Sequence, residues 1–365
     1  MRNPLHSICP YFAMFPESFV QKQLLAYSRP GDKVFDPFCG RGTTILEGLL
    51  NDRNAIGSDI NPVGACISGA KADIPARDEV LQRITALKEG FASCTSLQHP
   101  QDEFFSLCFE KNTLRQILFL QKELSWKDDP VDRFVAALML GILHGESHKS
   151  ELCLSNRMPR TISTKPAYSV RWWKEHQLTP PSRDAFEVLT KTALYRYAGE
   201  IPTRKGQVVL GDARLAGELL EEHKGSVNLI VTSPPYLDTT DYAEDQWLRL
   251  WFLGGPSRPT ARLHKDDRHT RTSTYWLFLE EVWRGCQVLL KEDANLVVRI
   301  GGTMLGKDEL FAGLLTSLRS GFGTRAIRPL HGGETSTIRR RQTNSFRPGT
   351  SPEKMEHDFA FAVIG

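Results

Sequence analysis

The chain has 365 residues, 40% of them hydrophobic and 24% charged, with a formal net charge of +3. These are ordinary globular values; no segment approaches the apolar run that a membrane-spanning helix needs, and a charge of +3 is too small to point to a nucleic-acid partner by itself. At this length, one large core with an insertion, or two domains, is expected. The opening Met1–Ser7 lacks the charged-then-apolar layout of a signal peptide, so a cytoplasmic protein is expected, with its seven cysteines as thiols. Those cysteines are scattered, without a Cys-x-x-Cys pair or a histidine at finger spacing, and no metal site is expected.

In chain order, short apolar or β-branched runs predict strands at Lys33–Asp36, Ala55–Asp59, Gln207–Leu210, Val227–Val231, Asn295–Ile300 and Asp358–Val363. Most read as buried parallel strands. Helical patterns at Thr43–Leu50, Tyr275–Leu290 and Asp308–Arg319 alternate with them, which predicts a doubly wound α/β domain. Between about Pro75 and Pro202 the alternation stops. Amphipathic patterns at Asp78–Phe91, Lys111–Leu124, Val131–Leu143 and Arg183–Tyr197 follow one another with no convincing strand. The expected organisation is therefore a first part of the core at 1–74, a helical insertion at 75–202, and the rest of the core at 203–365.

Asp36-Pro37-Phe38-Cys39-Gly40-Arg41-Gly42-Thr43-Thr44 ends a strand in an acid, turns on two glycines and opens a helix. Glycines there let the backbone approach a ligand at the carboxyl end of a strand, where such sheets bind ligands. The absence of a Gly-Lys-Ser/Thr ending disfavours a nucleoside triphosphatase. Asp59 closes the next strand about twenty residues later, the spacing at which an acid accepts both hydroxyls of a ribose. Asp212 ends a third strand and could accept from an adenine amino group, although such a residue taken alone is more often an ordinary cap.

Ser233-Pro234-Pro235-Tyr236 follows the strand at Val227–Val231. An exocyclic amino nitrogen is a poor nucleophile because its lone pair is delocalised into the ring. Oxygens that accept its hydrogens favour a tetrahedral nitrogen, and an in-line methyl sulfonium then completes a displacement. The Ser233 hydroxyl and the Pro234 carbonyl suit that role, the proline pair fixes the backbone, and Tyr236 offers a ring for an extruded base.

Asp36–Thr44 and Ser233–Tyr236 resemble motifs I and IV of the amino-group DNA methyltransferases, and Phe15-Pro16-Glu17-Ser18-Phe19 through Arg29-Pro30-Gly31-Asp32 resembles that family's motif X. The resemblance implies a Rossmann-like methyltransferase sheet that binds S-adenosylmethionine through Phe15, Pro16, Asp36, Pro37, Phe38, Gly40, Gly42, Thr43, Thr44, Asp59 and Asp212. It implies chemistry at Ser233, Pro234, Pro235 and Tyr236 on double-stranded DNA. The Ser-Pro-Pro-Tyr form leans towards cytosine N4, with adenine N6 as the alternative. It further implies a prokaryotic or phage protein that partners a cognate restriction endonuclease.

The order X, I, insertion, IV departs from the commonest Ser-Pro-Pro-Tyr enzymes, which place IV first. Target recognition is therefore assigned by residue chemistry to the insertion, where Ser155–Lys174 carries Arg157, Arg160, Lys165, Arg171 and Lys174 and no acid. Arginines contact phosphate or guanine edges, and Asn156 can pair with a base edge. A cytosine C5 mechanism would need a cysteine after proline, and the chain has no Pro-Cys. An RNA amino-group methyltransferase and a non-enzymatic DNA-binding module are the other readings; the first brings no RNA-binding signature and the second leaves the strand-end motifs unexplained.

Overall fold

The computed structural model describes residues 2–11, 15–95, 97, 100, 102–145, 152–158, 165–237, 246–259, 271–302, 305–337 and 355–365. Its strands are β1 (Lys33–Asp36), β2 (Asn54–Asp59), β3 (Gln207–Leu210), β4 (Val227–Thr232), β5 (Leu290–Gly302), β6 (Ala326–Pro329), β7 (Glu334–Thr337) and β8 (Met355–Ile364). They form one sheet in the order β3-β2-β1-β4-β5-β8-β6, with β7 paired to β8. Strands β1 to β5 pair in parallel, whereas β8 runs antiparallel to β5, β6 and β7. The reversal of β8 puts its first residues at the carboxyl ends of the parallel strands, with Glu356 opposite Gly301.

Alternate residues of the central strands serve opposite faces, as a pleated strand requires. Val34, Leu229, Val231, Val297 and Ala360 pack under α1 (Glu17–Tyr27) with Phe15, Phe19 and Leu24. Phe35, Ile230, Leu296 and Phe361 face the other way. α2 (Thr43–Leu50) and α3 (Pro62–Ala72) continue the layer of α1 beyond β1, where Ile45, Leu49 and Ala72 close on Ala55. Asn61 caps α3 by accepting from the Val63 amide at 2.9 Å, with Pro62 in the first turn. The sheet is thus a doubly wound, Rossmann-like sheet whose last strands run antiparallel.

The segment from 75 to 202 contributes α4 (Arg77–Ala92), α5 (Glu103–Cys108), α6 (Lys111–Glu123), α7 (Pro130–Ile142), α8 (Pro166–Glu175) and α9 (Ala185–Arg196), and none of the eight strands. Its core is continuous with the first part of the chain: Leu5, Ile8, Cys66 and Ile67 share one cluster with Val80, Ile84, Phe134 and Leu138. After β3 come a short helix α10 (Ala216–Leu219), α11 (Trp247–Phe252), α12 (Thr272–Gln287) and α13 (Lys307–Gly321). Tyr275, Leu279 and Trp283 of α12 and Leu310, Leu314 and Leu318 of α13 cover the second face of the sheet.

Candidate active site

Four parallel strands bring Asp36, Asp59, Asp212 and Ser233 to one edge of the sheet. Strand order reverses between β1 and β4, and the crevice at such a switch is where open α/β sheets hold ligands. Gly40 and Gly42 have φ of +50° and +73°, a region that side chains disfavour. A Cβ on Gly42 would lie 2.8 Å from Ser68 Cα on α3. Lys71 Nζ, wholly buried, donates to the Arg41 carbonyl at 2.6 Å and fixes the turn from below.

Asp36 is fully buried. Its Oδ1 accepts from the Thr232 hydroxyl at 2.7 Å and from the Phe38 amide at 3.0 Å, while Oδ2 is buried with no hydrogen-bond partner. Burial pushes its carboxyl up to about 6. The Thr44 hydroxyl donates to the Val231 carbonyl at 3.2 Å, so both Asp36 and Thr44 tie the glycine turn to β4. Thr43 Oγ1 accepts from Arg41 Nε. Pro37 is buried and Phe38 packs against Phe278 of α12.

Asp59 Oδ2 accepts from the Gly40 amide at 2.6 Å and Oδ1 from the Asn61 amide at 2.8 Å, which clamps the two strand-end turns together. Burial pushes it, too, up to about 6. Each oxygen keeps a second lone pair for a ligand hydroxyl. Asp212 stands differently. Burial raises its pKa, but the Arg214 guanidinium and amide, both bonded to its carboxylate, hold it below the usual range. It caps the turn at Ala213–Leu215 and is committed to Arg214, so accepting from a ligand would require that pair to part.

Phe15 is buried edge-on against Phe19 at 5.4 Å in the sheet layer, and exposed Pro16 precedes α1. The motif X segment reaches the glycine turn through the next residue: Glu17 accepts from Arg41 Nη2 at 3.1 Å.

Ser233–Tyr236 leaves β4 at this edge. The Pro235 carbonyl accepts from the Tyr275 hydroxyl at 2.9 Å, which anchors the loop to α12. Ser233 Oγ donates to Tyr236 Oη at 3.4 Å, and Tyr236 Oη donates to Glu356 Oε1 at 2.8 Å. Glu356 pairs with Arg299 at 3.5 Å, and Arg299 forks onto Asp358 at 2.6 and 2.7 Å. Tyr236 is 8% exposed, so the open stacking platform expected from the sequence is in this conformation a buried ring with its phenol engaged. Glu356, Arg299 and Asp358 escaped the sequence reading. The signal for them was a lone arginine inside the apolar run Asn295–Ile300 and acids two apart at the start of β8, a spacing that puts both on one face.

The insertion requires corrections. Asn156, expected to read a base, is 1% exposed; its amide donates to the Leu107 and Leu178 carbonyls and its Oδ1 accepts from the Arg157 amide. All of its pairing capacity but one lone pair is spent on the fold. Among the described residues of the basic run, 166–174 lie in helix α8, and Trp173 is wholly buried, donating to the Arg157 carbonyl. Arg157, Lys165 and Arg171 are exposed, with Arg171 beside the Tyr168 ring. Arg160 lies outside the described residues. The run is acid-free only in sequence: Glu103 of α5 pairs with Lys174 at 2.6 Å. We expect Asn156→Ala to lower stability by about 1–3 kcal/mol, because it strands two carbonyls and an amide. Urea unfolding measures this; unchanged stability together with lost DNA binding would restore the base-reading role.

Fold and strand-end chemistry together define a Rossmann-like ligand site at the switch point between β1 and β4. Residues 3–65 match the N6/N4 family model described as DNA methylase. The type II methyltransferase M.MvaI of Kocuria varians is 24% identical over 233 residues, covering 60% of this chain and 49% of that protein. The type II methyltransferase M.MjaII of Methanocaldococcus jannaschii is 36% identical over 173 residues, covering 46% of this chain and 33% of that protein. The chain thus spans less than half the length of these curated relatives. Among solved structures, the rRNA methyltransferase aviRa of Streptomyces viridochromogenes has 14% identity and a TM-score of 0.34, over 100% of this chain and 90% of that one. The resemblance to amino-group DNA methyltransferases rests on the family match and these relatives.

Proposed function

We propose that the protein transfers a methyl group from S-adenosylmethionine to an exocyclic amino group in double-stranded DNA, with cytosine N4 as the acceptor. The observation that carries this reading is the 2.7 Å hydrogen bond between Thr232 and Asp36, which locks the glycine turn to the strand that presents Ser233. A cofactor site and an amino-group site so joined hold two reactants in fixed relation. The unpartnered Asp36 Oδ2, the Gly40 backbone and Asp59 fit the cofactor's polar groups. When bound, the cofactor supplies an electrophilic methyl on sulfonium. Ser233 then accepts from the amino hydrogens and the Pro234 carbonyl assists. Exposed Arg157, Lys165 and Arg171 contact phosphates, and Arg160 belongs to the same stretch. Among the described residues no helix is long and apolar enough to cross a membrane. A cytoplasmic setting in a prokaryote or phage, beside a cognate restriction endonuclease, completes the reading.

Mass spectrometry of nucleosides from DNA of cells expressing the protein tests it, and N4-methylcytosine is expected. N6-methyladenine would keep the chemistry and change the base; 5-methylcytosine would overturn the mechanism. A second expectation concerns pH. Because Asp59 releases its proton near 6 and only the carboxylate accepts from both ribose hydroxyls, cofactor affinity should rise as pH climbs through about 6. Calorimetry at about pH 5 and about pH 7.5 should show a drop approaching tenfold per unit on the acid side. A flat affinity would remove Asp59 from the site.

A further inference from the structure

We propose that Glu356 is a positioning residue for methyl transfer: as the end of a one-way hydrogen-bond chain from Ser233 through Tyr236, it turns the serine lone pairs towards the target amino group and receives the proton that group sheds. The proposal rests on the methyltransferase reading above.

The direction of the chain follows from its end. A carboxylate only accepts, so the 2.8 Å bond makes Tyr236 the donor to Glu356 Oε1. The phenol oxygen then accepts from Ser233 Oγ, at 3.4 Å the longest link. With its hydrogen aimed at Tyr236, Ser233 presents lone pairs elsewhere, which is what an amino hydrogen needs. On methylation the nitrogen's electron pair forms the N–C bond while the S–C pair stays on sulfur, leaving a protonated secondary amine. That proton passes to Ser233 Oγ as the serine proton moves to Tyr236 and the phenol proton to Glu356. The products are the neutral methylamine and a protonated Glu356, with both hydroxyls restored.

The surroundings of Glu356 suit a carboxylate that can take a proton. From the end of β4 it meets Tyr236, from β5 Arg299, and along β8 Asp358; its register partners Gly301 and Ser336 carry no charge. On the neighbouring elements, Phe19 of α1 lies under Arg299, and Lys22 of α1 pairs with Glu334 of β7. Burial raises the Glu356 carboxyl, Tyr236 and Arg299 pull it down and Asp358 adds to the rise, leaving it above the ordinary glutamate value. Arg299 is already forked onto Asp358, so it neutralises Glu356 only in part.

The test uses the purified full chain, S-adenosylmethionine labelled in the methyl group, and unmethylated duplex DNA of mixed sequence, with kcat read at saturating cofactor across pH. Saturation removes the part of the profile that Asp36 and Asp59 impose through cofactor binding. Wild type should lose kcat on the acid side as Glu356 becomes protonated. E356Q should bind DNA and cofactor within about twofold of wild type, turn over about tenfold or more slowly, and lack that acid limb; E356D should restore part of it. If E356Q does not fold, Y236F serves, since it keeps the ring and cuts the relay. An active wild type whose acid limb and kcat survive in E356Q, or in Y236F, overturns the proposal alone. A wild type that transfers no label overturns the methyltransferase reading and this proposal with it.

Discussion

Arg299→Ala is expected to lower the unfolding free energy by about 3–5 kcal/mol, the effect of breaking a buried ion pair. Arg299 is 5% exposed. Its guanidinium forks onto Asp358, pairs with Glu356 and lies 3.8 Å over the centre of the Phe19 ring. Alanine removes all three contacts and leaves two carboxylates side by side on β8 with their cation gone. Arg299→Lys keeps the charge but not the planar fork, so it should fall between wild type and alanine. Urea unfolding at neutral pH measures both. A loss below about 1 kcal/mol for alanine would mean that solvent already screens the pair.

Gly42→Ala should disable cofactor binding through the backbone rather than through a lost contact. The residue sits at φ +73°, ψ 40°, where a Cβ adds about 1–2 kcal/mol. That Cβ would stand 2.8 Å from Ser68 Cα and 2.9 Å from its Cβ, main-chain surroundings that cannot swing away, and such overpacking adds about 1–3 kcal/mol. Relief must come from moving α3 or the turn, and either shifts the Gly40 amide relative to Asp59. We expect a stability loss of about 2–5 kcal/mol and at least a tenfold fall in S-adenosylmethionine affinity. Gly31→Ala is the control: its φ is +89° but a Cβ there meets nothing within 4 Å, so strain without displacement should leave affinity alone. Calorimetry on both variants decides; full affinity in Gly42→Ala would detach the turn from the ligand.

The strands that build the site were legible because their signal is local. Lys33–Asp36 and Gln207–Leu210 are apolar or β-branched runs closed by a turn, and both occur in the structure with those bounds. β6 and β7 gave no such signal. β7 is Glu-Thr-Ser-Thr, exposed along its whole length, and pairs only because β8 lies beside it. The glycine turn and Ser-Pro-Pro-Tyr were readable since their chemistry is contiguous. What joins them was not: Asp36 to Thr232, Tyr236 to Glu356 and Lys71 to Arg41 are contacts between distant residues that only the folded sheet creates. Asn156 shows the converse, a polar residue whose composition suggested recognition while burial gave it to the core. The run around Arg171 was read for its charge, and its helical period went unread, although Val170 and Trp173 fall three apart on the inner side of α8.

The placement of β8 sets an order in time. Glu356 and Asp358 ride on a strand that docks between β5 and β6, far along the chain from the Tyr236 loop that Glu356 holds. β3 likewise joins β2 only after the whole helical block has been made. Pairings of such long sequence separation close slowly, because loop entropy is lost before contacts reward it. Until β8 arrives, β5 presents an unpaired edge and Arg299 lacks its counter-ions. A nascent or refolding chain in which β8 has not yet docked lacks the Tyr236–Glu356 link, and its β5 edge is open to association with other chains.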